Sequence, residues 1–458
     1  MQPLDVIPVG PLVGFDGGLT FDGCSLADLA AQHGTPLWVV SSNVIAANYA
    51  TFTGAMCTRW PSHEVAYSMK AHNSLAVVRL LGELGAVIDC SSVYELEMAL
   101  KAGVPGERII VNGNGKSDAF LERAIDVGAQ QINLDSLDEA ARLDALAGSS
   151  GARIRCLVRL QLGYAGLLEL EPHFANRIRI GRKFGASVAD GSAAELVAAV
   201  SAAANLEFAG YHHHVGFSGY AGEYSPAGEI AHHVETAREL CEIAVRLEEQ
   251  LGVSFTTLNF GGGFRPGENV VISRLGDDTP RVVALPTLSD YNDAVGAVAD
   301  EVLGTRDVQI QFETGNYQIA DAVLLLASVQ DVKDVREPER RRIVTLDAGG
   351  TMMTLRAGST MGFPARSVTR PDGAPDPTWP VELVGQSCVY DTLEEHLLLP
   401  AIERGDVLAL FDQGAYCEVL STQFNAIPRP AVVLVADGAT SLIKRRETLE
   451  DILIREQE

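Results

Sequence analysis

The feature of this 458-residue sequence that most constrains its fold is a regular alternation of strand-like and helix-like segments. Short apolar runs recur eight times between residues 64 and 313, separated by amphipathic patterns such as Ser74–Gly85 and His232–Gln250. Eight strands joined by helices are typical of a closed (β/α)8 barrel, an α/β fold with right-handed βαβ units. A doubly wound open sheet is the competing architecture. The predicted strands are 64–68, 86–91, 108–112, 131–135, 153–160, 206–215, 256–260 and 308–313.

The sequence changes character after Asp321, where β-like runs alternate with turns rich in glycine, proline and aspartate. This spacing favours an all-β second domain, with Ala322–Gln330 bridging to it from the barrel. The β-like runs are 342–346, 381–384, 407–411 and 431–435. Strand-like pieces near the N-terminus join the same domain. We therefore expect an N-terminal segment over 1–44 that packs with the β domain, the barrel over 45–321, and a Greek-key-like C-terminal β domain over 322–458.

The bulk composition excludes several classes of partner. A formal net charge of −25 argues against nucleic acid and anionic membranes, because their phosphates would repel the chain. Seven singly scattered cysteines are typical of a reduced intracellular protein. The N-terminal residues lack the basic and apolar regions of a signal peptide, and no apolar run approaches the roughly 20 residues of a membrane helix. We expect a soluble, cytoplasmic protein.

Polar side chains or glycines follow all eight predicted barrel strands. The carboxyl ends of barrel strands meet on one rim, which is where barrel enzymes carry their chemistry. Packing alone does not explain polar residues at every strand end, so the pattern indicates an enzyme. These residues are Lys70, Asp89, Asn112, Asp135, Arg159, His212 and His214, Gly261–Gly263, and Glu313–Gly315.

Three of these features together describe one cofactor. Lys70 lies where the first barrel strand passes into a helix, and desolvation there favours the neutral amine that forms a Schiff base. Gly261–Gly263 permits close backbone approach to an anion, and Glu313 follows the neighbouring strand. A lysine, an anion cradle and an acid for a protonated ring nitrogen fit pyridoxal 5′-phosphate (PLP). A lysine-dependent aldolase that binds phosphate without PLP fits the same residues.

The histidine run after the sixth strand has two interpretations. In a strand, His212 and His214 share one face and His213 takes the other. A pair two residues apart could bind a metal, but a third ligand of obvious spacing is missing, so we predict no metal site. A flat imidazole against an aromatic cofactor ring fits the pattern better.

Six motifs, taken in order, resemble those of the fold-type III PLP-dependent decarboxylases. The likeness is closest in style to diaminopimelate decarboxylases, with ornithine and arginine decarboxylases more distant, and it runs from about residue 8 to about residue 436. It implies α-decarboxylation of a small-molecule amino acid by a homodimer whose active sites borrow residues from the partner subunit. The motifs are YSMKAHNS, DCSSVYELEMALKAGV, HHHVGFSG, NFGGGF, ETGN and DQGAYCEVLSTQFNAIPRPAV.

The resemblance also implies residue roles. Lys70 carries PLP as a Schiff base, and Cys388, offered across the dimer interface, protonates the substrate carbon after CO₂ leaves. Glu313 pairs with the pyridinium nitrogen and His214 stacks on the ring. The implied cofactor-binding residues are Lys70, Asp89, His214, Ser218, Gly261, Gly262, Gly263, Glu313, Gly315, Asn316 and Tyr416. The implied substrate-binding residues are Arg356, Asp391 and Tyr416.

Several positions depart from the family pattern. Thr314 and Asn316 stand where the family usually has proline and arginine, and Phe217 shifts the expected serine to Ser218. Val389 replaces the acid that often follows the cysteine, which leaves Asp391 as the nearest acid.

Arg356 is one residue out of register with the expected substrate-carboxylate arginine. The substrate is therefore open among diaminopimelate, ornithine, arginine, lysine and a specialised-metabolite precursor. A racemase or epimerase on the same fold, or a non-catalytic homologue that binds PLP, would also fit these motifs.

The stretch Gly163–Gly185 is too long for an ordinary βα loop. It follows the fifth strand and carries Arg177, Arg179, Arg182 and Lys183. One hypothesis is a lid that brings positive charge to an anionic substrate, and a solvated insertion fits the sequence equally well.

Overall fold

The structure is a computed structural model that describes residues 10–15, 17–170, 181–214, 226–272, 281–338, 340–354, 362–374, 376 and 379–457. The chain divides into two compact units. The barrel unit comprises 49–264 and 286–315, and the β unit comprises 1–48, 265–285 and 316–458. The boundaries of 45 and 321 expected from sequence remain a prediction.

The strands of the described residues are numbered in chain order. They are β1 Val13–Gly14, β2 Thr20–Phe21, β3 Cys24–Ser25, β4 Leu37–Ser41, β5 His63–Ser68, β6 Val87–Cys90, β7 Ile109–Val111, β8 Gln131–Leu134, β9 Ile154–Gln161, β10 Ala186–Ser187, β11 Leu206–His212, β12 Thr257–Asn259, β13 Asn269–Ile272, β14 Arg281–Ala284, β15 Gln309–Thr314, β16 Val323–Val335, β17 Arg341–Leu346, β18 Ala365–Ser367, β19 Val381–Gly385, β20 Thr392–Leu397, β21 Val407–Leu410, β22 Ala431–Ala436 and β23 Ala439–Lys444.

The helices of the same residues are numbered likewise. They are α1 Leu26–His33, α2 Ser42–Arg59, α3 Leu75–Glu83, α4 Val93–Lys101, α5 Asp118–Asp126, α6 Leu137–Ser150, α7 Ala165–Leu170, α8 Ser192–Ala202, α9 Pro226–Leu251, α10 Leu288–Leu303, α11 Asn316–Ile319 and α12 Leu449–Leu453. Short 3₁₀ turns span Met69–Ala71, Gly106–Arg108, Ala320–Ala322, Glu418–Leu420 and Phe424–Ala426.

The barrel unit is a closed parallel barrel. Its strands follow the order β5, β6, β7, β8, β9, β11, β12 and β15, and β15 pairs with β5 to close the ring. β10 pairs with β9 outside this circuit. The closure confirms the predicted (β/α)8 barrel and excludes the open sheet. The eight predicted strands lie close to the observed ones.

Local sequence signals set where several barrel helices begin. Ser92, Ser117 and Ser136 cap α4, α5 and α6, and each hydroxyl accepts a hydrogen bond from a backbone N–H in the first turn. Such caps satisfy amide groups that the helix itself leaves unpaired. The first residue of each of these three helices is therefore determined by its neighbours in the sequence.

The β unit is organised around the long strand β16. β16 pairs antiparallel with β4, β17 and β21, and β22 runs parallel to β4. All five residues of β4 are buried, as expected for a strand at the centre of a sheet. The N-terminal segment thus joins the β domain, as predicted. The stretch Ala322–Gln330, expected as a bridge, instead forms most of β16, because its apolar residues pair on both sides.

Candidate active site

A buried carboxylate, Glu313, lies at the centre of polar contacts inside the barrel unit. Its Oε1 accepts hydrogen bonds from the side-chain amides of Asn112 and Asn259, both at 2.9 Å, and a longer one from Asn133 at 3.4 Å. Its Oε2 accepts from Nε2 of His212 at 3.2 Å. Four donors from four other strands or strand ends therefore meet on one carboxylate.

These contacts determine the ionisation of Glu313. Burial alone would raise the pKa of its carboxyl, but His212 and the charge of Lys70 outweigh burial and hold the pKa well below its usual range. Burial lowers the pKa of His212, with Glu313 opposing that shift. The site therefore pairs a carboxylate with a neutral imidazole whose Nε2 carries the proton. Among the described residues, Nδ1 of His212 has no hydrogen-bond partner.

Lys70 lies in the 3₁₀ turn that directly follows β5. Its Nζ is 3.9 Å from Oδ2 of Asp89, and the hydroxyl of Ser68 donates to the same oxygen at 2.7 Å. Burial first, and then the charge of Glu313, raise the pKa of Asp89 to about 7. Within the described part of the chain, Oδ1 of Asp89 is buried without a hydrogen-bond partner. An amine and a carboxyl that titrates near neutral pH thus face each other.

The glycine run, Gly261–Gly263, follows β12 and is closely packed against its neighbours. A Cβ at Gly262 would overlap the carbonyl oxygen of Glu313, and Gly261 has a φ of +69°. At the end of β15, a Cβ on Gly315 would lie 2.7 Å from the Cβ of Ala71. Glycine is required here because backbones approach more closely than a side chain allows.

The N–H groups of this run are partly occupied by side chains. Gly261 donates to Oδ1 of Asn259 at 2.8 Å, and Gly262 donates to Nδ1 of His214 at 3.0 Å. Burial, followed by the charge of Lys70, lowers the pKa of His214 well below its usual value. The ring of His214 is therefore neutral and anchored to the glycine run.

His213 faces away from this cluster. Its Nδ1 lies 3.1 Å from the carbonyl oxygen of Leu160, and the hydroxyl of Tyr164 lies 3.1 Å from its Nε2. Burial lowers the pKa of His213 to about 3, so its ring is neutral. The alternation predicted for the histidine run agrees with these contacts.

Four further predicted site residues lie in the β unit. Cys388 is exposed, and its backbone N–H donates to Oδ1 of Asn425 at 2.8 Å. Tyr416 and Asn425 both have positive φ, 60° and 58°, which costs conformational energy for residues other than glycine. Asn316 begins α11.

The fourth residue, Asp391, has a carboxylate that is already engaged. It accepts hydrogen bonds from the backbone N–H groups of Gly350 and Gly385. These bonds link the backbone at Gly350 to the end of β19 at Gly385, and a contact of Asp391 with substrate stays a prediction.

Some predictions fall outside the described residues. These are Ser218, Arg356, Arg177 and Arg179, and with them the middle of the hypothetical lid. Arg182 and Lys183 are described, and Lys183 lies with its Nζ 4.7 Å from the ring centroid of Phe184.

Sequence reasoning missed the amides that surround Glu313. It identified Asn112, but it chose Asp135 at the next strand end, and Oδ1 of Asp135 instead accepts from the backbone N–H of Gly185 at 2.9 Å. Asn133 and Asn259 were not predicted. Their signal was present, because polar residues alternate with apolar ones along β8, β12 and β15, and alternate residues of a barrel strand face its interior.

Comparisons with known proteins agree with this geometry. The family described as pyridoxal-dependent decarboxylase, pyridoxal binding domain, matches residues 45–320. The chain belongs to this family. Its members include the fold-type III PLP-dependent decarboxylases, so this chain is a PLP-dependent amino-acid decarboxylase, a carboxy-lyase.

Two curated relatives match the decarboxylase over nearly its whole length. Diaminopimelate decarboxylase of Corynebacterium efficiens is 33% identical, covering 98% of this chain and 94% of the relative. The enzyme of the same name from Mycobacterium leprae is 33% identical, covering 94% and 88%. Among solved structures, diaminopimelate decarboxylase from M. jannaschii in complex with L-lysine has a TM-score of 0.84 at 26% identity, covering 98% of both chains. The substrate of this decarboxylase is accordingly a small-molecule amino acid.

The described residues of the decarboxylase fit PLP. The barrel unit supplies an amine on Lys70, an ionised buried carboxylate on Glu313 and an unsatisfied buried oxygen on Asp89. At positions 261, 262 and 315 a Cβ would overlap neighbouring protein atoms, so the backbone there carries no side chain. This donor set matches an aldehyde, a protonatable ring nitrogen and a phosphate.

Neither a metal-binding cluster nor a membrane helix is found in the described ranges. No three His, Cys, Asp or Glu side chains are grouped there so that they could hold a metal ion. None of the helices in those ranges combines the length and apolar character needed to cross a membrane.

Proposed function

We propose that this decarboxylase removes a carboxylate from diaminopimelate, working as a homodimer with shared active sites. The substrate rests on the relatives of that name, which match nearly the whole chain. The single observation that carries the chemistry is the ionised carboxylate of Glu313, buried among four hydrogen-bond donors. A buried anion of this kind is costly unless it serves a positive partner.

The residues that would hold PLP follow from the site. Lys70 would carry the cofactor, Glu313 would face its ring nitrogen and His214 would lie against its ring. Gly261–Gly263 would shape the phosphate end, and the other proposed contacts are Asp89, Ser218, Gly315, Asn316 and Tyr416. Support for the glycine assignment comes from the family resemblance and from the hydrogen bonds that join the run to His214 and Glu313.

When bound, PLP supplies an aldehyde that condenses with amines and a ring that accepts the electron pair left by departing CO₂. Glu313 favours a protonated ring nitrogen, because a carboxylate with a lowered pKa keeps its negative charge across the neutral range. The surrounding amides hold this charge in place without carrying charge themselves.

Asp89 is suited to exchange protons with Lys70. Its Oδ2 lies 3.9 Å from Nζ of Lys70, and its pKa of about 7 means that it gains and loses a proton at little cost near neutral pH. The hydroxyl of Ser68, 2.7 Å from the same oxygen, fixes the orientation of the carboxyl.

Cys388 would protonate the substrate carbon of the neighbouring subunit. Its exposure, and the hydrogen bond that ties its backbone to Asn425, favour a residue offered at a surface. Homodimerisation can be tested by mixing two inactive variants, Lys70→Ala and Cys388→Ala. If sites are shared, random pairing restores about a quarter of wild-type activity, because half of the dimers carry one intact site. The two variants are denatured and refolded together so that their subunits exchange. If activity does not recover, shared sites are rejected.

A second candidate is decarboxylation of another amino acid. Asn316 stands where the family resemblance leads us to expect an arginine, so one cationic contact for a phosphate or distal carboxylate is missing. Arg356, Asp391 and Tyr416 remain the proposed substrate contacts. A cytoplasmic location is likewise a proposal, supported by the scattered cysteines.

The decisive assay measures CO₂ released from each of five amino acids by the PLP-loaded protein. These are diaminopimelate, lysine, ornithine, arginine and glutamate. We expect the highest kcat/KM with diaminopimelate. The Lys70→Ala control should release no CO₂ from any of the five amino acids. Chiral analysis of recovered substrate separates a racemase, which would scramble the α-carbon without releasing CO₂. Faster CO₂ release from another member of the panel would overturn the substrate assignment alone.

A further inference from the structure

We propose that Asn259 is a positioning residue that fixes the two ends of the cofactor site relative to each other. The inference rests on the proposed function, in which Glu313 serves the ring nitrogen and the glycine run serves the phosphate. Asn259 is fully buried at the end of β12, directly before this run. It is the first residue of the NFGGGF motif, and the family resemblance assigned it no role.

The two functional groups of the Asn259 amide point to different ends of the site. Its Nδ2 donates to Oε1 of Glu313 at 2.9 Å. Its Oδ1 accepts from the backbone N–H of Gly261 at 2.8 Å. One rigid planar group therefore spans the distance between the carboxylate and the glycine run.

The backbone around Asn259 restricts this link further. The carbonyl oxygen of Asn259 accepts from the N–H of His213 at 3.0 Å, and the carbonyl of Gly261 accepts from the N–H of Glu313 at 2.9 Å. Gly262 in turn donates to Nδ1 of His214. A shift of the Asn259 side chain would consequently move the glycine run against both neighbouring strands.

An amide is the appropriate group for this task. An aspartate could still accept from Gly261, but it would place a second carboxylate about 3 Å from that of Glu313. Two buried carboxylates at that distance share a proton, and the pair titrates in coupled steps. Only asparagine or a similar amide donates to one end and accepts from the other.

The chain contains a matched control, Asn112. Its Nδ2 also donates to Oε1 of Glu313 at 2.9 Å, and its Oδ1 also accepts from a following glycine, Gly113, at 3.0 Å. Gly113 lies after β7 and is separate from the glycine run. Asn112 thus shares the Glu313 contact and lacks the connection to the proposed phosphate end.

The test compares the binding of PLP and of pyridoxal, which lacks the phosphate, to the full-length protein freed of cofactor. Each dissociation constant is measured by absorbance for wild type, N112A and N259A. We expect both variants to weaken pyridoxal binding about tenfold, the cost of a lost hydrogen bond to a charged group. N259A should weaken PLP binding by about a further fivefold, because the glycine run loses its anchor. The ratio of the two constants should therefore change in N259A alone.

A second pair of variants, N112D and N259D, keeps the acceptor oxygen. In both variants, the pH profile of pyridoxal affinity should show a titration step that is absent in wild type. The ratio of PLP affinity to pyridoxal affinity should stay at its wild-type value in both. Melting of the cofactor-free proteins checks that each variant folds. If N259A does not fold, an N259D profile without the new step is sufficient to reject the contact between Asn259 and Glu313.

The outcomes separate this inference from the proposed function. If borohydride fixes PLP on Lys70 in wild type but N259A and N112A show the same affinity ratio, the positioning role is wrong and the proposed function stands. If wild type forms no such adduct, both are wrong.

Discussion

The interiors of the two units differ in kind. The barrel interior contains a polar column, defined as Gln131, Asn133, Asn259, Gln311 and Glu313, whose members are all at most 2% exposed. The centre of the β unit is apolar instead, and Leu37, Trp38, Val39 and Val40 of β4 are completely buried against β16 and β22. The polar side chains along the barrel interior are held by hydrogen bonds, and the centre of the β unit is held by apolar packing.

The amides of the polar column hold the charge of Glu313 in place. Buried amides contribute little net stability, and each costs free energy when it loses its partner. Gln131 and Gln311 bond to each other, and Asn133 and Asn259 reach from them to Glu313. Amide side chains therefore line the barrel axis and surround the charge of Glu313. At the centre of the β unit, apolar side chains of β4 occupy the corresponding interior instead.

The largest expected effect comes from removing the charge that the polar column supports. Glu313→Gln should lower kcat by about 10³-fold, the scale found when a preorganised electrostatic contact is lost, while the protein stays folded. CO₂ release and thermal melting measure the two effects. The matched control is Glu64→Gln, because Glu64 accepts from Gln311 at 2.8 Å at the far end of the column. An equal loss of activity in Glu64→Gln would contradict the special role of Glu313.

The corresponding change in the apolar interior should affect stability instead of activity. Leu325 in β16 is fully buried and pairs with both Trp38 and Leu410. Leu325→Ala should lower the free energy of unfolding by about 3 kcal/mol through the cavity it leaves. Urea unfolding measures this loss, and kcat per folded molecule should be unchanged. The exposed Leu442 is the control, and Leu442→Ala should have little effect.

An effect of similar size is expected at the buried ion pair Lys116–Glu139, which contacts the polar column from outside. Nζ of Lys116 lies 2.6 Å from the carboxylate of Glu139 and donates to the carbonyl of Asn133 at 2.7 Å. Lys116→Met should destabilise the protein by roughly 3 kcal/mol, because Glu139 is left charged and buried. The double variant with Glu139→Leu should recover most of this loss in urea unfolding. Failure of the double variant to recover would show that the carbonyl contact dominates.

One buried carboxyl in each unit has a raised pKa. Burial, reinforced by Glu313 for Asp89 and by Asp412 for Asp321, raises the pKa of both Asp89 and Asp321 to about 7. Since the folded state holds these protons more tightly than the unfolded chain, each group makes stability fall as pH rises from about 4 to about 7.

Asn at either position should remove that contribution. Between pH 4 and pH 8, the cofactor-free variants Asp89→Asn and Asp321→Asn should each lose about 4 kcal/mol less stability than wild type, because each unit of the pKa shift is worth about 1.4 kcal/mol. Urea unfolding across this pH range measures the difference. Only Asp89→Asn should also alter PLP affinity, and a change of affinity in Asp321→Asn would contradict the assignment of Asp89 to the site.

Much of the fold was predictable from local patterns. The strand β15 was expected at 308–313 and is observed at Gln309–Thr314, because its length and apolar alternation are local properties. The strand β16 was missed, because a continuous apolar run does not distinguish a buried strand from another buried segment. The positions of Lys70 and Glu313 at the ends of barrel strands were predictable because strand ends can be located from sequence.

The sequence by itself determined the order of strands and helices, the glycines of the close turns and the polar residues at the strand ends. Only the tertiary structure decided which side chains surround Glu313. Asn112 is 201 residues away from it in the chain and Asn259 is 54 residues away, and both donate to the same oxygen. The physical reason is that barrel closure and strand register choose these neighbours, and a slip of one residue would turn each amide to the opposite face.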